Sequence, residues 1–291
     1  MDFDDQSVDT SQLDDRRGMG VGTGLAVGGG GLGIVGLVIY LVANLLGGGS
    51  AGSFALSPEQ AEGGAGAAEV AERCNQEGAI DEFDDCFVLK VFNEVNEVWT
   101  EEFDRRGQAY RPPRLVYFEQ AAATGCGTAS SQVGPFYCPA DQRVYIDLGF
   151  LEQLQQEFGA EGRFAQAYIV AHEVGHHIQT LTGAEREVRR AQQLSPSQAN
   201  ELSVGLELQA DCYAGVWSAL ADQRGNVSIT EAELDQALRA AEAVGDDRIQ
   251  QKAQGRIDPE SWTHGSAEQR RSAFLTGFRG ADPAGCDTFT S

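Results

Sequence analysis

The chain has 291 residues, with 44 Asp and Glu against 21 Lys and Arg, which gives a formal charge of −23 at pH 7. This acidic balance excludes a nucleic-acid-binding protein, because that class needs a basic surface. It also disfavours adhesion of the folded part to anionic lipid headgroups. The length allows one or two domains.

The N-terminal quarter of the sequence predicts a tail, an anchor and a linker. Residues 1–20 are polar and acidic and are predicted to be a disordered cytoplasmic tail. Residues 21–46 carry no charge and predict one transmembrane helix, with a cleaved signal peptide as the alternative. Because Arg16 and Arg17 precede this anchor, the positive-inside rule places the N-terminus in the cytoplasm and the rest outside a bacterial cell membrane, as a single-pass protein. The Gly- and Ser-rich residues 47–67 predict a flexible linker.

The remaining residues, 68–291, predict one mostly helical α+β domain with a small sheet. An apolar stripe indicates a helix at 87–103, and residues 114–118 and 143–148 have the composition of strands. Further helices are predicted at 151–159, 163–181, 198–222, 230–243 and 266–277.

Six cysteines can form three disulfide bonds. Proximity in the sequence favours the pairs Cys74–Cys86 and Cys126–Cys138, which leaves Cys212–Cys286. The alternative is reduced, buried cysteine that packs as a small apolar residue. Disulfides persist outside the cytoplasm, so the bonded alternative agrees with the predicted orientation.

The predicted helix 163–181 carries the motif His172-Glu173-x-x-His176. Residues four apart share one face of a helix, so the two imidazoles can bind one Zn²⁺ with Glu173 beside a bound water. His177 lies about 100° further round the helix and is predicted to be structural. The alternative is a pair of surface histidines that match the motif by chance.

Three further residues extend this predicted site. Glu207 lies on a second, mostly apolar helix and is the expected third ligand, while Asp211, one turn on, can fix the tautomer of a ligand histidine. The alternative is two solvated acids on an amphipathic helix. His264 precedes a helix that Ser266 can cap, and it either donates to the oxyanion of a tetrahedral intermediate or only structures a turn.

These motifs resemble those of the bacterial neutral zinc metallopeptidases, a membrane-anchored family with a zincin-like domain. The matching stretches are GPFYCPADQRVYIDLGF, AQAYIVAHEVGHHIQ, LELQADCYAGVW, GDDRIQ, THGSAEQR and DPAGCDTF. The pattern is also similar to that of integral-membrane zinc peptidases with Glu-x-x-x-Asp and then Thr-His followed by Arg. This resemblance implies a catalytic role for His264 and a supporting role for Arg270, although Gly265 stands where those enzymes have proline.

The sequence therefore predicts a peptidase that acts on proteins or peptides and holds one Zn²⁺ per chain through His172, His176 and Glu207. Glu173 is the expected general base, which takes a proton from the attacking water and passes it to the leaving amine. Extended substrate is expected to add to an edge strand near 115–118 or 144–148. The alternative is a surface-anchored binding or scaffold module whose zinc is structural, although such zinc normally has four protein ligands.

Overall fold

A computed structural model describes residues 1–3, 6–18, 64–158 and 162–289. The chain divides into two compact units, where the sequence predicted one domain. The helical unit comprises Met1–Asp5, Glu94–Pro112 and Leu154–Ser291, and the sheet unit comprises Gln6–Asn93 and Pro113–Gln153. The predicted class, α+β and mostly helical with small sheets, is confirmed.

The strands of the described chain are β1 Asp2–Phe3, β2 Leu13–Asp15, β3 Arg114–Tyr117, β4 Ala121–Thr124, β5 Gly127–Ser130, β6 Phe136–Cys138, β7 Arg143–Ile146 and β8 Val227–Ser228. The α-helices are α1 Gly64–Cys74, α2 Ala79–Glu82, α3 Asp84–Arg105, α4 Leu148–Phe158, α5 Arg163–Thr182, α6 Ala184–Leu194, α7 Ala199–Arg224, α8 Glu231–Ala243, α9 Asp246–Gln254 and α10 Ala267–Gly280. Short 3-10 turns lie at Ser131–Val133, Pro196–Gln198, Pro259–Ser261 and Pro283–Gly285.

The main sheet has the strand order β2-β3-β7-β6, and it lies in the sheet unit. The first three strands run parallel, and β6 pairs with β7 in the antiparallel sense. Its core includes Phe136 stacked on Tyr145, with ring centroids 4.8 Å apart. Because β3 and β7 each have a bonded neighbour on both sides, the expectation of a free edge at 115–118 or 144–148 is wrong.

The N-terminal residues form part of this sheet, so the prediction of a disordered tail is wrong for the described part of residues 1–20. Leu13 is buried and pairs with Leu115. The backbone N–H of Arg16 donates to the carbonyl of Tyr117 at 2.8 Å, and Arg17 lies over the Tyr117 ring and pairs with Asp85. Strands bonded in one sheet share a compartment, which argues against a cytoplasmic tail on an external domain.

The predicted anchor, residues 21–46, lies outside the described residues, as does most of the predicted linker. The helix α1 begins at Gly64, inside the range predicted to be linker. Within the described ranges, no helix combines the length and the apolar character needed to cross a bilayer.

The helices of the helical unit pack closely because small residues lie at their crossings. A methyl group added at Gly277 on α10 would overlap the carbonyl oxygen of Cys212 on α7. A methyl group at Gly175 on α5 would lie 3.0 Å from the carbonyl oxygen of Ala210, also on α7. These crossings bring α5 and α10 onto one long central helix, and they place the candidate ligands side by side.

Each helix predicted within residues 68–291 is present to within three residues at either end. The cap of α10 is confirmed, since Ser266 Oγ accepts from the N–H of Gln269. All three favoured disulfides are formed: Cys74–Cys86, Cys126–Cys138 and Cys212–Cys286. The helix α6 was not predicted, because its charged sequence buries only Val188 and so shows no apolar stripe.

Candidate metal centre

Two neighbouring helices bring the three predicted metal ligands together. His172 and His176 lie one turn apart on α5, and their Nε2 atoms are 3.1 Å apart. Glu207 on α7 places Oε2 3.4 Å from His172 Nε2 and Oε1 3.7 Å from His176 Nε2. His172 and Glu207 are buried, whereas the side chain of His176 keeps 16% of its surface exposed. The cluster is therefore open to solvent beside His176.

The hydrogen bonds of the two rings fix which nitrogen of each carries a proton. His172 Nδ1 lies 2.8 Å from Asp211 Oδ1, and His176 Nδ1 lies 2.9 Å from Gln179 Oε1. The Asp211 carboxylate and the amide oxygen of Gln179 can only accept, so both Nδ1 atoms donate. Both Nε2 atoms of the neutral rings then turn lone pairs towards each other and towards the Glu207 carboxylate.

A metal ion fits this donor set. Converging lone pairs from two imidazoles and one carboxylate repel each other at these distances unless a positive charge lies among them. Two His nitrogens and one carboxylate oxygen are also a ligand set of catalytic zinc. His172, His176 and Glu207 therefore form the candidate metal site, and their ligand atoms all lie within 4.8 Å of one another.

The pKa values of the cluster without metal agree with a site that binds a cation. Burial raises the pKa of Glu207, but the two imidazoles outweigh it and lower that pKa to about 2. Burial lowers the pKa of His172, but the charge and hydrogen bond of Asp211 outweigh it and raise that pKa to about 9. Burial also lowers the pKa of His176. A proton on His172 therefore supplies the positive charge at neutral pH, and a metal ion would replace it.

A buried ionic network bonds to the Nδ1 side of the His172 ring. Arg270 is fully buried and donates from Nε to Asp211 Oδ2 and from Nη2 to Asp211 Oδ1, both at 2.8 Å. Its Nη2 also donates to the Tyr168 hydroxyl at 3.1 Å, and that hydroxyl donates to Asp211 at 2.5 Å. The structure thus places the two predicted supporting residues, Asp211 and Arg270, directly behind the His172 ring.

His264 occupies a tightly held loop near Glu207. The backbone N–H groups of Thr263, His264 and Gly265 all donate to Asp246 Oδ2, at 2.8, 2.7 and 3.1 Å. His264 Nδ1 lies 3.2 Å from Asp246 Oδ1, so the ring turns Nε2 away from Asp246. The nearby His264 ring contributes to the lowered pKa of Glu207. Gly265 has φ +87°, a conformation open to glycine but strained for other residues, which accounts for glycine in this turn.

Glu173 of the motif and the neighbouring His177 are both buried on α5. Glu173 is buried on α5 directly after His172. His177 is buried away from the ligand pair, where Nε2 donates to the carbonyl of Arg111 at 2.7 Å. Burial lowers the pKa of His177 to about 4, so this ring is neutral at pH 7 and structural, as predicted.

Comparison with known proteins relates this geometry to a family. A model of the family described as "Putative neutral zinc metallopeptidase" matches residues 1–289. The chain belongs to this family. Its match extends over both units, including the N-terminal strands.

Two similar proteins carry names that state no activity. Uncharacterized protein YpfJ of Escherichia coli (strain K12) is 48% identical to the chain over 204 residues, which cover 70% of each protein. Uncharacterized protein Rv2575 of Mycobacterium tuberculosis (strain H37Rv) is 43% identical over 228 residues, which cover 75% of each. No solved structure is significantly similar to the chain.

The structure adds three residues that the sequence reasoning did not assign to the site: Tyr168, Gln179 and Asp246. Tyr168 lies in the apolar run before His172, yet its hydroxyl bonds to the ionic network. Gln179 carries a readable signal, because it follows His176 by three residues and so shares its helix face. Asp246 gives no such signal, since it lies 18 residues before His264.

Proposed function

We propose that the chain is a zinc-dependent peptidase that hydrolyses peptide bonds in proteins or peptides. The observation that supports this most is the convergence of two Nε2 lone pairs and the Glu207 carboxylate, with the buried acid Glu173 next to His172. A zinc ion held by His172, His176 and Glu207 would supply a Lewis acid that lowers the pKa of water to about 7 and polarises a carbonyl.

The chain's own residues would then move the protons. Glu173 is the proposed general base, which takes a proton from the attacking water and delivers it to the leaving amine. His264 is proposed to act as an imidazolium, in which Nδ1 donates to Asp246 and Nε2 donates a hydrogen bond to the developing oxyanion. Asp211 and Arg270 are proposed to hold the His172 ring and its tautomer without contact with substrate.

We also propose the zincin-like form of the fold, one zinc per chain and attachment to a bacterial membrane through residues 21–46, with the residues before and after this stretch on the same side of the membrane. The uncharged sequence of that stretch supports attachment. Three disulfides support an extracytoplasmic location for both units, because such bonds persist in oxidising compartments. The charge of −23 supports a protein or peptide substrate over nucleic acid.

The test compares the native full chain with Glu173→Gln, both loaded with zinc, on a mixed peptide library. The variant keeps the three proposed ligands, so we expect zinc at one per chain in both proteins. Loss of the general base should reduce hydrolysis by about 10²- to 10⁴-fold. Equal cleavage by both proteins would refute Glu173 as the base. Zinc binding without cleavage by either, with unfolding on chelation, would instead favour the structural-zinc module.

A further inference from the structure

The second ligand histidine is held by an amide, in contrast to the carboxylate behind His172. Gln179 is buried, and its Oε1 lies 2.9 Å from His176 Nδ1. Its Nε2 donates to the backbone carbonyl of Leu206 at 2.7 Å. Because that carbonyl can only accept, the NH₂ end of the amide must face α7 and the oxygen must face the ring. The amide therefore has one possible orientation.

A second buried amide keeps the first in place. Gln179 Nε2 lies 3.2 Å from Gln209 Oε1, and Gln209 Nε2 donates to the carbonyl of Cys286 at 3.0 Å. Cys286 is disulfide-bonded to Cys212 on α7. A chain of hydrogen bonds thus connects the His176 ring through Gln179 and Gln209 to Cys286, and each donor in it points towards Cys286.

We propose that Gln179 is the positioning residue of the ligand His176. Its amide oxygen holds the proton on Nδ1 and turns Nε2 towards His172 and Glu207. Partners of this kind orient ligand histidines in metal sites, and their loss typically costs 10- to 100-fold in metal affinity. The inference rests on the metal site of the proposed function and not on peptide hydrolysis.

The charge of the cluster explains why a neutral partner suits this position. The carboxylates Glu173, Glu207 and Asp211 and the Arg270 guanidinium together carry a formal charge of −2, which one divalent cation balances. A carboxylate behind His176 would add a further buried negative charge without a partner. An amide orients the ring and leaves the balance unchanged.

The experiment measures zinc affinity of the full chain by competition with a chelator of known affinity. Gln179→Met keeps the length of the side chain but removes the acceptor, and Gln179→Glu keeps an acceptor oxygen. Gln192→Met is the matched control, because this amide also bridges two helices and donates to Ala199 and Ser203 instead. The absorption spectrum of the Co²⁺-loaded proteins reports the geometry of the ligands independently of activity.

We expect Gln179→Met to weaken zinc by about 10- to 100-fold and to shift the Co²⁺ spectrum. Gln179→Glu should bind zinc more tightly than Gln179→Met, because it keeps an acceptor for Nδ1, but less tightly than the native chain, because its carboxylate faces the Leu206 carbonyl. Gln192→Met should bind zinc as the native chain does. Native affinity in Gln179→Met, or equal losses in its Met and Glu variants, would overturn the proposal. If Gln179→Met does not fold, Gln209→Met takes its place. We then expect weaker zinc binding, and unchanged binding would refute the proposal. Failure of the native chain to bind zinc would overturn the proposed function itself.

Discussion

Replacing Arg270 by Met tests whether the ionic network behind His172 stabilises the helical unit. The guanidinium is fully buried and donates to both oxygens of Asp211, to the Tyr168 hydroxyl and to the carbonyl of Val244. Its removal takes away one of the two cations that bond to Asp211, the other being the protonated His172 ring, and breaking a buried ion pair costs about 3–5 kcal/mol. We expect the free energy of unfolding to fall by that amount, which changes the folding equilibrium by roughly two to three and a half powers of ten.

Urea unfolding of the metal-free full chain at pH 7 measures this loss. Tryptophan fluorescence is a suitable signal, because all three tryptophans belong to the helical unit. Arg271→Met is the matched control, since that side chain is 48% exposed and its ion pair with Glu242 lies at the surface. Exposed pairs contribute about 0–1 kcal/mol. Similar losses in the two variants, or a loss below about 1 kcal/mol for Arg270→Met, would refute the reasoning.

The pH dependence gives this prediction a second test. Burial raises the pKa of Asp211, but Arg270 and His172 outweigh it and hold the pKa well below its usual range. A group whose folded pKa is lowered contributes stability above its unfolded pKa, about 3.9 for Asp, and loses it as the pH falls further. The difference between the native chain and Arg270→Met should therefore be full at pH 7 and should shrink below about pH 4.

Three further predictions concern zinc binding, the packing of α5 on α7 and the loop that carries His264. Metal must displace a proton from His172, whose pKa is about 9 in the metal-free chain, so zinc affinity should rise about tenfold per pH unit up to that pH. Calorimetry in buffers of different ionisation heat measures the released proton, and no proton release would contradict this prediction. Gly175→Ala should push α5 from α7 at a cost of about 1–3 kcal/mol in urea unfolding, whereas Gly280→Ala, with open space around it, should be nearly neutral. Asp246→Asn should keep zinc at one per chain but lower kcat by about 10- to 100-fold through a loosened His264, and an unchanged kcat would remove His264 from the mechanism.

Two of the three candidate ligands could be predicted because helical geometry alone brings them together. Residues four apart on a helix share a face whatever the surrounding fold, so His172 and His176 required no tertiary information. Glu207 was identifiable because an acid among apolar neighbours needs a buried partner. Two disulfides followed from proximity, since short loops close at the least entropic cost, and Cys212–Cys286 was the pair that remained.

The parts that could not be predicted depend on contacts between distant segments. Asp14 and Asp15 look like solvated acids in the sequence, yet both are buried in ion pairs with arginines. A strand of three residues is also too short to show a period, and the partner of β2 lies about a hundred residues away. Asp246 and His264 lie 18 residues apart, and no local pattern in the sequence predicts the hydrogen bonds between them.

The parallel pairing of β2 with β3 has a consequence for how the protein is made. Leu13 is synthesised long before Leu115, its partner in the sheet. Until the later strand is complete, the N-terminal segment has nothing to bond with, and contacts of such long sequence separation form slowly. From the pairing of β3 with β7 until residues 13–15 add to the sheet, β3 presents an uncovered edge of the kind that pairs with other chains. Residues 13–15 therefore protect the nascent sheet from association with a second copy only once they have returned to it, and a chain that lost them by cleavage would keep that edge exposed.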